Sequence, residues 1–156
     1  MQNKIIVKEI RKLSNLNPFV NIVYNNFISI ANISNLKHNK IEIKNLLSKN
    51  NFIGLFAFLN DKLIAYIIGE TKHLNDGRIV YYITYFFVAA KYRNKGIGTN
   101  LMDILINKCK IWEIKYITLT FNVKNKKILH FYKKKGFIFD PILKNNSQYD
   151  VLTLYV

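Results

Sequence analysis

Two glycines stand two residues apart in Arg93-Asn94-Lys95-Gly96-Ile97-Gly98, in a chain that has only six. The segment joins the most apolar run of the sequence, Ile79 to Ala90, to its best amphipathic stretch. A glycine turn at a helix N-terminus presents unpaired backbone N–H groups and the positive end of the helix dipole to an anion. Arg93 and Lys95 add positive charge beside it. These residue types in this order make a phosphate cradle. A Walker loop needs four residues between its glycines and then Gly-Lys-Ser/Thr, which this segment lacks. A dinucleotide fingerprint needs a third Gly or Ala where Leu101 stands, and the flanking strands do not read as a doubly wound sheet.

The elements that must position this turn follow from the apolar spacing. Ile97, Leu101, Ile104, Leu105 and Trp112 fall on one face of a helix closing near Lys115. Ahead of the turn, Phe52 to Leu59 and Lys62 to Gly69 are apolar runs joined at Asn60-Asp61. Ile79 to Val88 follows Asn75-Asp76-Gly77, completing an antiparallel meander of three strands. Upstream come a short strand, Ile5 to Val7, and a helix starting near Pro18 with Phe19, Ile22, Val23, Phe27 and Ile30 at helical spacing. A second helix is expected over Asn39 to Lys49, with Ile43, Leu46 and Leu47 inward. Downstream, Tyr116 to Phe121 alternates as a strand. Asn125 to Lys135 reads as a helix closed by Gly136, with Lys133, Lys134 and Lys135 in its last turn. Phe137 to Ile142, with Pro141 at its end, and Tyr149 to Tyr155 complete the strands. The reading is one α+β domain over residues 1–156 with a mostly antiparallel sheet containing one parallel junction.

Val88-x4-Arg93-x2-Gly96-Ile97-Gly98 resembles the acyl-CoA-binding signature of the GNAT family of N-acetyltransferases, Gln/Arg-x-x-Gly-x-Gly/Ala at the start of the helix after the fourth strand. Asn125-x2-Ile128-x3-Tyr132-x3-Gly136-Phe137 is similar to that family's Asn-x-x-Ala-x-x-x-Tyr-x-x-x-Gly-Phe segment. The two matches occur in order, separated by a helix and a strand, and the remaining elements fit the family's layout along the whole chain. Ile128 departs from the usual small residue, which affects packing and not chemistry.

The resemblance implies a GNAT-like domain with a seven-stranded mixed, mostly antiparallel sheet flanked by about four helices. It implies acetyl-CoA as acyl donor and a primary amine as acceptor, a protein α-amine or lysine or a small-molecule amine, among which the sequence does not choose. The pyrophosphate would lie on Asn94, Lys95, Gly96, Ile97, Gly98 and Thr99, with Arg93 opening the turn. The pantetheine arm would pair like an added strand with the backbone of Phe86, Phe87 and Val88, where the sheet splays. A free N–H there would polarise the thioester carbonyl. Asn125 would contact the same arm, and Tyr132 would be the general acid for the leaving thiolate. Attack within a ternary complex makes positioning a large part of the rate. The amine must first lose a proton to a base or a water chain.

The base is not legible. The strand where the family often carries a carboxylate shows Tyr81, Tyr82 and Tyr85 instead. Glu70 and Asp150 are the carboxylate candidates, and a water relay through the tyrosines would need neither. Bland readings stand beside the sharp ones: Tyr132 as a core tyrosine, Lys133 to Lys135 as a solvated helix end rather than a grip on a 3′-phosphate, and Cys109 as a small buried residue.

Composition sets the outer limits. The chain has 156 residues, 50% hydrophobic and 14% aromatic, enough to bury a full core. Twenty-four Lys and Arg against nine Asp and Glu give +15. That excess attracts polyanions without choosing among them. With only Arg11, Arg78 and Arg93 as arginines, the charge reads as a lysine-covered surface and weighs against a nucleic-acid reader. The scarcity of carboxylates weighs against polycationic acceptors. Cys109 is the only cysteine, and His38, His73 and His130 show no metal-ligand spacing, so neither a disulfide nor a metal site is expected. No signal peptide and no membrane-length apolar run is present, giving a cytoplasmic expectation with no membrane partner. Asn32-Ile-Ser34 and Asn145-Asn-Ser147 match glycosylation acceptors, a match without meaning in that compartment. The resemblance leaves monomer and homodimer open. The rival reading is a non-catalytic module of the same fold that binds nucleic acid or a protein through its basic surface.

Overall fold

The computed structural model describes residues 4–13, 16–34, 39–143 and 148–156. In chain order the elements are β1 (Ile5–Ile10), α1 (Leu16–Ser34), α2 (Lys40–Leu47), β2 (Phe52–Leu59), β3 (Lys62–His73), β4 (Ile79–Val88), a 3-10 turn (Ala90–Tyr92), α3 (Ile97–Ile111), β5 (Tyr116–Asn122), α4 (Lys126–Lys134), β6 (Ile138–Phe139) and β7 (Tyr149–Tyr155). The strands form one seven-stranded sheet in the order β1-β2-β3-β4-β5-β7-β6. Every pairing is antiparallel except β4 with β5, the expected parallel junction.

The apolar runs of β2 and β3 lack alternation because helices cover both faces. Ile53, Leu55, Ala57, Ala65 and Ile67 pack into a core with Leu101, Met102, Leu105 and Cys109 of α3. Phe52, Phe56, Tyr66 and Ile68 point the other way, onto Val20 and Val23 of α1 and Ile43, Leu46 and Leu47 of α2. Asn39 caps α2, its side chain accepting from the Glu42 N–H. At the far end of α3, Glu9 of β1 pairs with Lys108, and the Arg11 guanidinium lies over the Trp112 ring.

Three elements differ from the sequence reading. β1 and β3 run longer, to Ile10 and His73, because their neighbours supply ladder partners that local propensity does not register. The strand expected over Phe137 to Ile142 is reduced to Ile138–Phe139. Asp140 ends it by turning its carboxylate inward to accept from Arg78, from the Thr153 hydroxyl and from the N–H groups of Ile142 and Leu143. The acceptor pattern Asn145-Asn-Ser147, His38, and the side-chain packing expected of Phe27 and Ile30 lie outside the described residues. Among the described residues, no helix is long and apolar enough to cross a membrane.

Candidate functional site

The site begins at an irregularity in β4. Ile68 stands opposite Tyr85 and Gly69 opposite Ile83, leaving Thr84 as an extra residue, a β-bulge. Gly69 permits this close approach, since a Cβ there would strike the Tyr82 carbonyl oxygen and the Tyr81 ring. The bulge also exchanges the two faces of the strand. Tyr81 and Ile83 before it, and Phe86 and Val88 after it, face the α3 core, while Tyr85 and Phe87 face the α1/α2 core. The parallel pairing with β5 stops at Ile83 opposite Leu119. Beyond that point β4 and β5 separate, and residues 84–88 have one edge without a strand partner among the described residues.

The gap holds a cleft of about 120 Å³ that runs through the sheet. Phe86, Leu119, Phe121, Ile128 and Tyr132 line it on the α3/α4 side. Val23, Tyr66, Tyr85 and Phe87 line it on the α1/α2 side, with Asn26, Thr120 and Asn122 supplying polar groups.

The glycine turn lies at the α3/α4 side. Asn94 and Gly96 both take left-handed backbone, with φ of 60° and 80°, and Gly96 heads α3 without a side-chain cap. Among the described residues no hydrogen-bond acceptor meets the N–H groups of Asn94, Lys95, Gly96, Ile97, Gly98 or Thr99; the first bond of the helix is from Asn100 N to Gly96 O. Six consecutive donors at a helix N-terminus form an anion-binding nest. Gly98 places this turn against Phe86 and Val88, and the Ile97 side chain is buried in the core, so only its backbone faces outward. Arg93 is already engaged: its Nε donates to the Val88 carbonyl at 2.7 Å and its guanidinium covers the Phe87 ring.

From the other side, α4 brings Tyr132 to the cleft. Asn125 caps this helix, its Oδ1 accepting from the Ile128 N–H at 3.1 Å, and it also lines the cleft. Gly136 ends the helix at φ 101°, as its position predicts. Tyr132 is 7% exposed and packs edge-on against Phe86, Phe131 and Phe137. Its hydroxyl has no partner among the described residues, yet no sealed polar side-chain atom lacks one, so the hydroxyl opens on the cleft. Burial pushes its phenol well above 10. Of the lysine triplet, Lys135 pairs with Asp103 at 2.7 Å and Lys133 sits over the Phe139 ring.

The carboxylate candidates are elsewhere. Glu70 lies opposite Tyr82, ahead of the bulge, where Lys49 at 2.9 Å and Lys72 at 3.6 Å hold it. Asp150 accepts from the Val151 N–H and does not line the cleft. Tyr81 is sealed in the core with its hydroxyl on the Ile53 carbonyl, which removes it from any relay. Tyr85 does line the cleft, and the Tyr82 hydroxyl donates to Thr120 Oγ1 at 2.8 Å. Burial raises the Tyr66 phenol to about 12, although Asn26 donates to its oxygen at 3.3 Å. Among the described residues none that lines the cleft carries a formal charge, although burial and the Glu42 carboxylate together push the Tyr85 phenol up, and no cluster of His, Cys, Asp or Glu could hold a metal.

Tyr66, Asn26, Val23 and Thr120 escape the sequence reading. A tyrosine inside the aliphatic run Ile64 to Ile68 is the one signal available, because a buried hydroxyl requires a partner. Which partner it finds is decided by tertiary contacts.

The sequence matches the acetyltransferase (GNAT) family over residues 20–137. Among solved structures, the NatC complex bound to Gag peptide and CoA is 21% identical, covers 98% of this chain and 99% of its own, and has a TM-score of 0.77. Ard1 from Thermoplasma volcanium is 19% identical, with 97% of both chains covered and a TM-score of 0.74. Arabidopsis thaliana Naa50 in complex with the bisubstrate analogue CoA-Ac-MVNAL is 19% identical, with 96% and 99% covered and a TM-score of 0.69. At these identities the likeness is one of fold. No curated protein matches the chain in sequence.

Proposed function

The chain belongs to the acetyltransferase (GNAT) family, and from that premise we propose that it acetylates the α-amine of a peptide or protein by direct attack in a ternary complex. It is an acyltransferase whose co-substrate is acetyl-CoA, which supplies an activated acyl group on a thiolate leaving group. The observation that carries the reading is the cleft through the sheet, with six free N–H donors on one side and, among the described residues, no carboxylate in its lining on the other, Glu42 being the one that acts on Tyr85 from behind it.

The cofactor side fits a diphosphate. Asn94 to Thr99 would hold it through backbone N–H groups, with Lys95 and the outer guanidinium nitrogens of Arg93 adding charge. The unpaired edge of β4 at Phe86, Phe87 and Val88 would take the pantetheine arm, except at the Val88 carbonyl that Arg93 already occupies. Asn125 stands at the same cleft with its amide nitrogen as donor. The acceptor then approaches from the α1/α2 side. A polyamine or a lysine-rich tail would meet, among the described residues, the single carboxylate of Glu42 near Tyr85 and a protein of +15 around it. A peptide terminus brings one amine and needs no counter-charge. The peptide ligands of Naa50 and NatC support the same class of acceptor.

Tyr132 is assigned as the donor to the leaving sulfur. A phenol held above 10 does not readily surrender its proton to a thiolate whose thiol titrates near 8.5, so its contribution is a hydrogen bond that strengthens as charge builds. Such a bond is worth about 1.4 kcal/mol or somewhat more. Tyr132→Phe is expected to lower kcat roughly tenfold with KM for acetyl-CoA changed by less than about twofold. An unchanged kcat in steady-state assays removes the role.

The amine's proton leaves through water, for which Thr120, joined to the Tyr82 hydroxyl, and Tyr85 are the polar groups at hand. With no carboxylate lining the cleft among the described residues, the free amine itself sets the pH dependence. The expected kcat/KM for a peptide acceptor rises about tenfold per pH unit and levels off near the α-amine pKa of about 8, against about 10.4 for a lysine side chain. A large loss of kcat in Glu70→Gln or Asp150→Asn would mean that a carboxylate acts as base after all. Mass spectrometry of the product locates the acetyl group, and acetylation confined to lysine side chains overturns the α-amine reading.

A further inference from the structure

Glu70 is 4% exposed, and a carboxylate so deeply buried must be held by partners. Its Oε2 accepts from Lys49 at 2.9 Å and from the Asn51 amide at 3.4 Å, which leaves Oε1 to Lys72 at 3.6 Å. Glu70 stands opposite Tyr82 in the β3–β4 ladder. Side chains alternate along a strand, so Lys72, two residues further on, shares the face of Glu70 and Tyr82. Its ammonium lies 4.4 Å from the centre of the Tyr82 ring. Among the described residues it is the one charged group over that half-buried ring.

The other end of Tyr82 reaches the cleft. β4 and β5 pair as far as Ile83 opposite Leu119, and Thr120 is the first residue of β5 beyond that ladder. The Tyr82 hydroxyl donates to Thr120 Oγ1 at 2.8 Å, linking the two strands past the point where their backbones part. Thr120 lines the cleft that the acceptor enters. A threonine hydroxyl has one hydrogen and two lone pairs. With one lone pair taken by Tyr82, the other and the hydrogen remain to orient a water that carries the amine's proton away. Rotation of the Tyr82 ring would break this bond. The ammonium over its face, itself held by Glu70, resists the rotation.

We propose that Lys72, anchored by Glu70, is a positioning residue for deprotonation of the acceptor. It fixes the Tyr82 ring and, through the Tyr82 hydroxyl, the Thr120 hydroxyl at the cleft wall. The proposal rests on the water route for the amine's proton and deepens it. The buried carboxylate thereby acts at one remove from the cleft, as the anchor of a cation.

The test uses the full chain with saturating acetyl-CoA and a pool of pentapeptides with free α-amines, following CoA release. Lys72→Met, at a half-exposed position, is expected to lower kcat about fivefold, with KM for acetyl-CoA and the melting temperature little changed. Lys72→Arg keeps a cation over the ring and should keep kcat. Tyr82→Phe and Thr120→Val should each lower kcat about tenfold or more. The deciding readout is the double variant. Lys72→Met in the Tyr82→Phe background should cost nothing further, because no hydroxyl remains to be aimed. The same loss in that background, or no loss in Lys72→Met alone, overturns the positioning role and leaves the water route standing. Glu70→Gln should lose no more than Lys72→Met, and a loss of about 100-fold would make Glu70 a base and overturn its anchoring role. If Tyr82→Phe and Thr120→Val both keep wild-type kcat, the water route fails and takes the positioning role with it. Failure of every peptide while acetyl-CoA binds removes the α-amine acceptor, and this role with it.

Discussion

Gly96→Asp is expected to weaken acetyl-CoA binding about 100-fold while leaving the protein folded. Gly96 has φ of 80°, and a Cβ added there meets no neighbour within 4 Å, so a side chain has open space to occupy. Asp and Asn tolerate left-handed backbone better than other side chains, at a cost of about 1 kcal/mol. The carboxylate would sit among the six free N–H groups of Asn94 to Thr99, where it satisfies donors meant for a diphosphate and repels it. At roughly 5 Å and an effective dielectric of about 20, two unit charges repel by about 3 kcal/mol, which salt reduces. Gly96→Asn is the control, since it carries the same backbone strain without the charge. The expected result in calorimetric titration is near-normal affinity for Gly96→Asn and a salt-sensitive loss for Gly96→Asp. Equal affinities in the two variants would place the diphosphate elsewhere.

Asp140→Asn is expected to cost about 3 kcal/mol of stability without touching the cleft. The Asp140 side chain is fully buried and that of Arg78 is 10% exposed, at 2.8 Å from each other. Arg78 also holds Asp76 at 2.8 Å, and Asp140 accepts from Thr153, whose hydroxyl is in turn 3.1 Å from that of Thr118. The network ties the turn before β4 to β5, β6 and β7. The asparagine amide would leave the Arg78 guanidinium without its full counter-charge. Burial pushes the Asp140 carboxyl upward, but Arg78, Thr153 and the N–H groups of Leu143 and Ile142 outweigh it and hold the group well below the usual range. A carboxylate lowered in the folded state stabilises at pH above its unfolded value of about 3.9 and loses that contribution as pH falls toward the folded value. Urea unfolding should therefore show a lower midpoint with unchanged slope at pH 7, and a weaker loss of stability between pH 4 and 2 in the variant than in wild type. An unchanged midpoint would mean that the pair is dispensable.

Much of the fold is legible in the residues. The turns at Asn60-Asp61 and Asn75-Asp76-Gly77, the glycine pair at 96 and 98, and Gly136 after three lysines mark element ends by local backbone chemistry that holds wherever the chain goes. The amphipathic spacing of α3 and the double-faced apolar runs of β2 and β3 announce which surfaces must be covered. The short strand Ile138–Phe139 is not legible in the same way, because Asp140 stops it through partners 62 and 13 residues away, Arg78 and Thr153.

The candidate site divides along the same line. Its contiguous parts, the turn Arg93 to Thr99 and the span Asn125 to Tyr132, are carried by local sequence, because a helix N-terminus and a helix face are properties of a few neighbouring residues. The cleft itself belongs to the tertiary structure. A single extra residue at Thr84 ends the β4–β5 pairing and redirects Tyr85 to Val88, and Gly69 on another strand is what makes room for it. Side-chain direction in a strand has period two, so the register of a distant partner decides which face each residue reaches. That is why Tyr66, Asn26 and Thr120 join the site and why Glu70 and Asp150 do not line it.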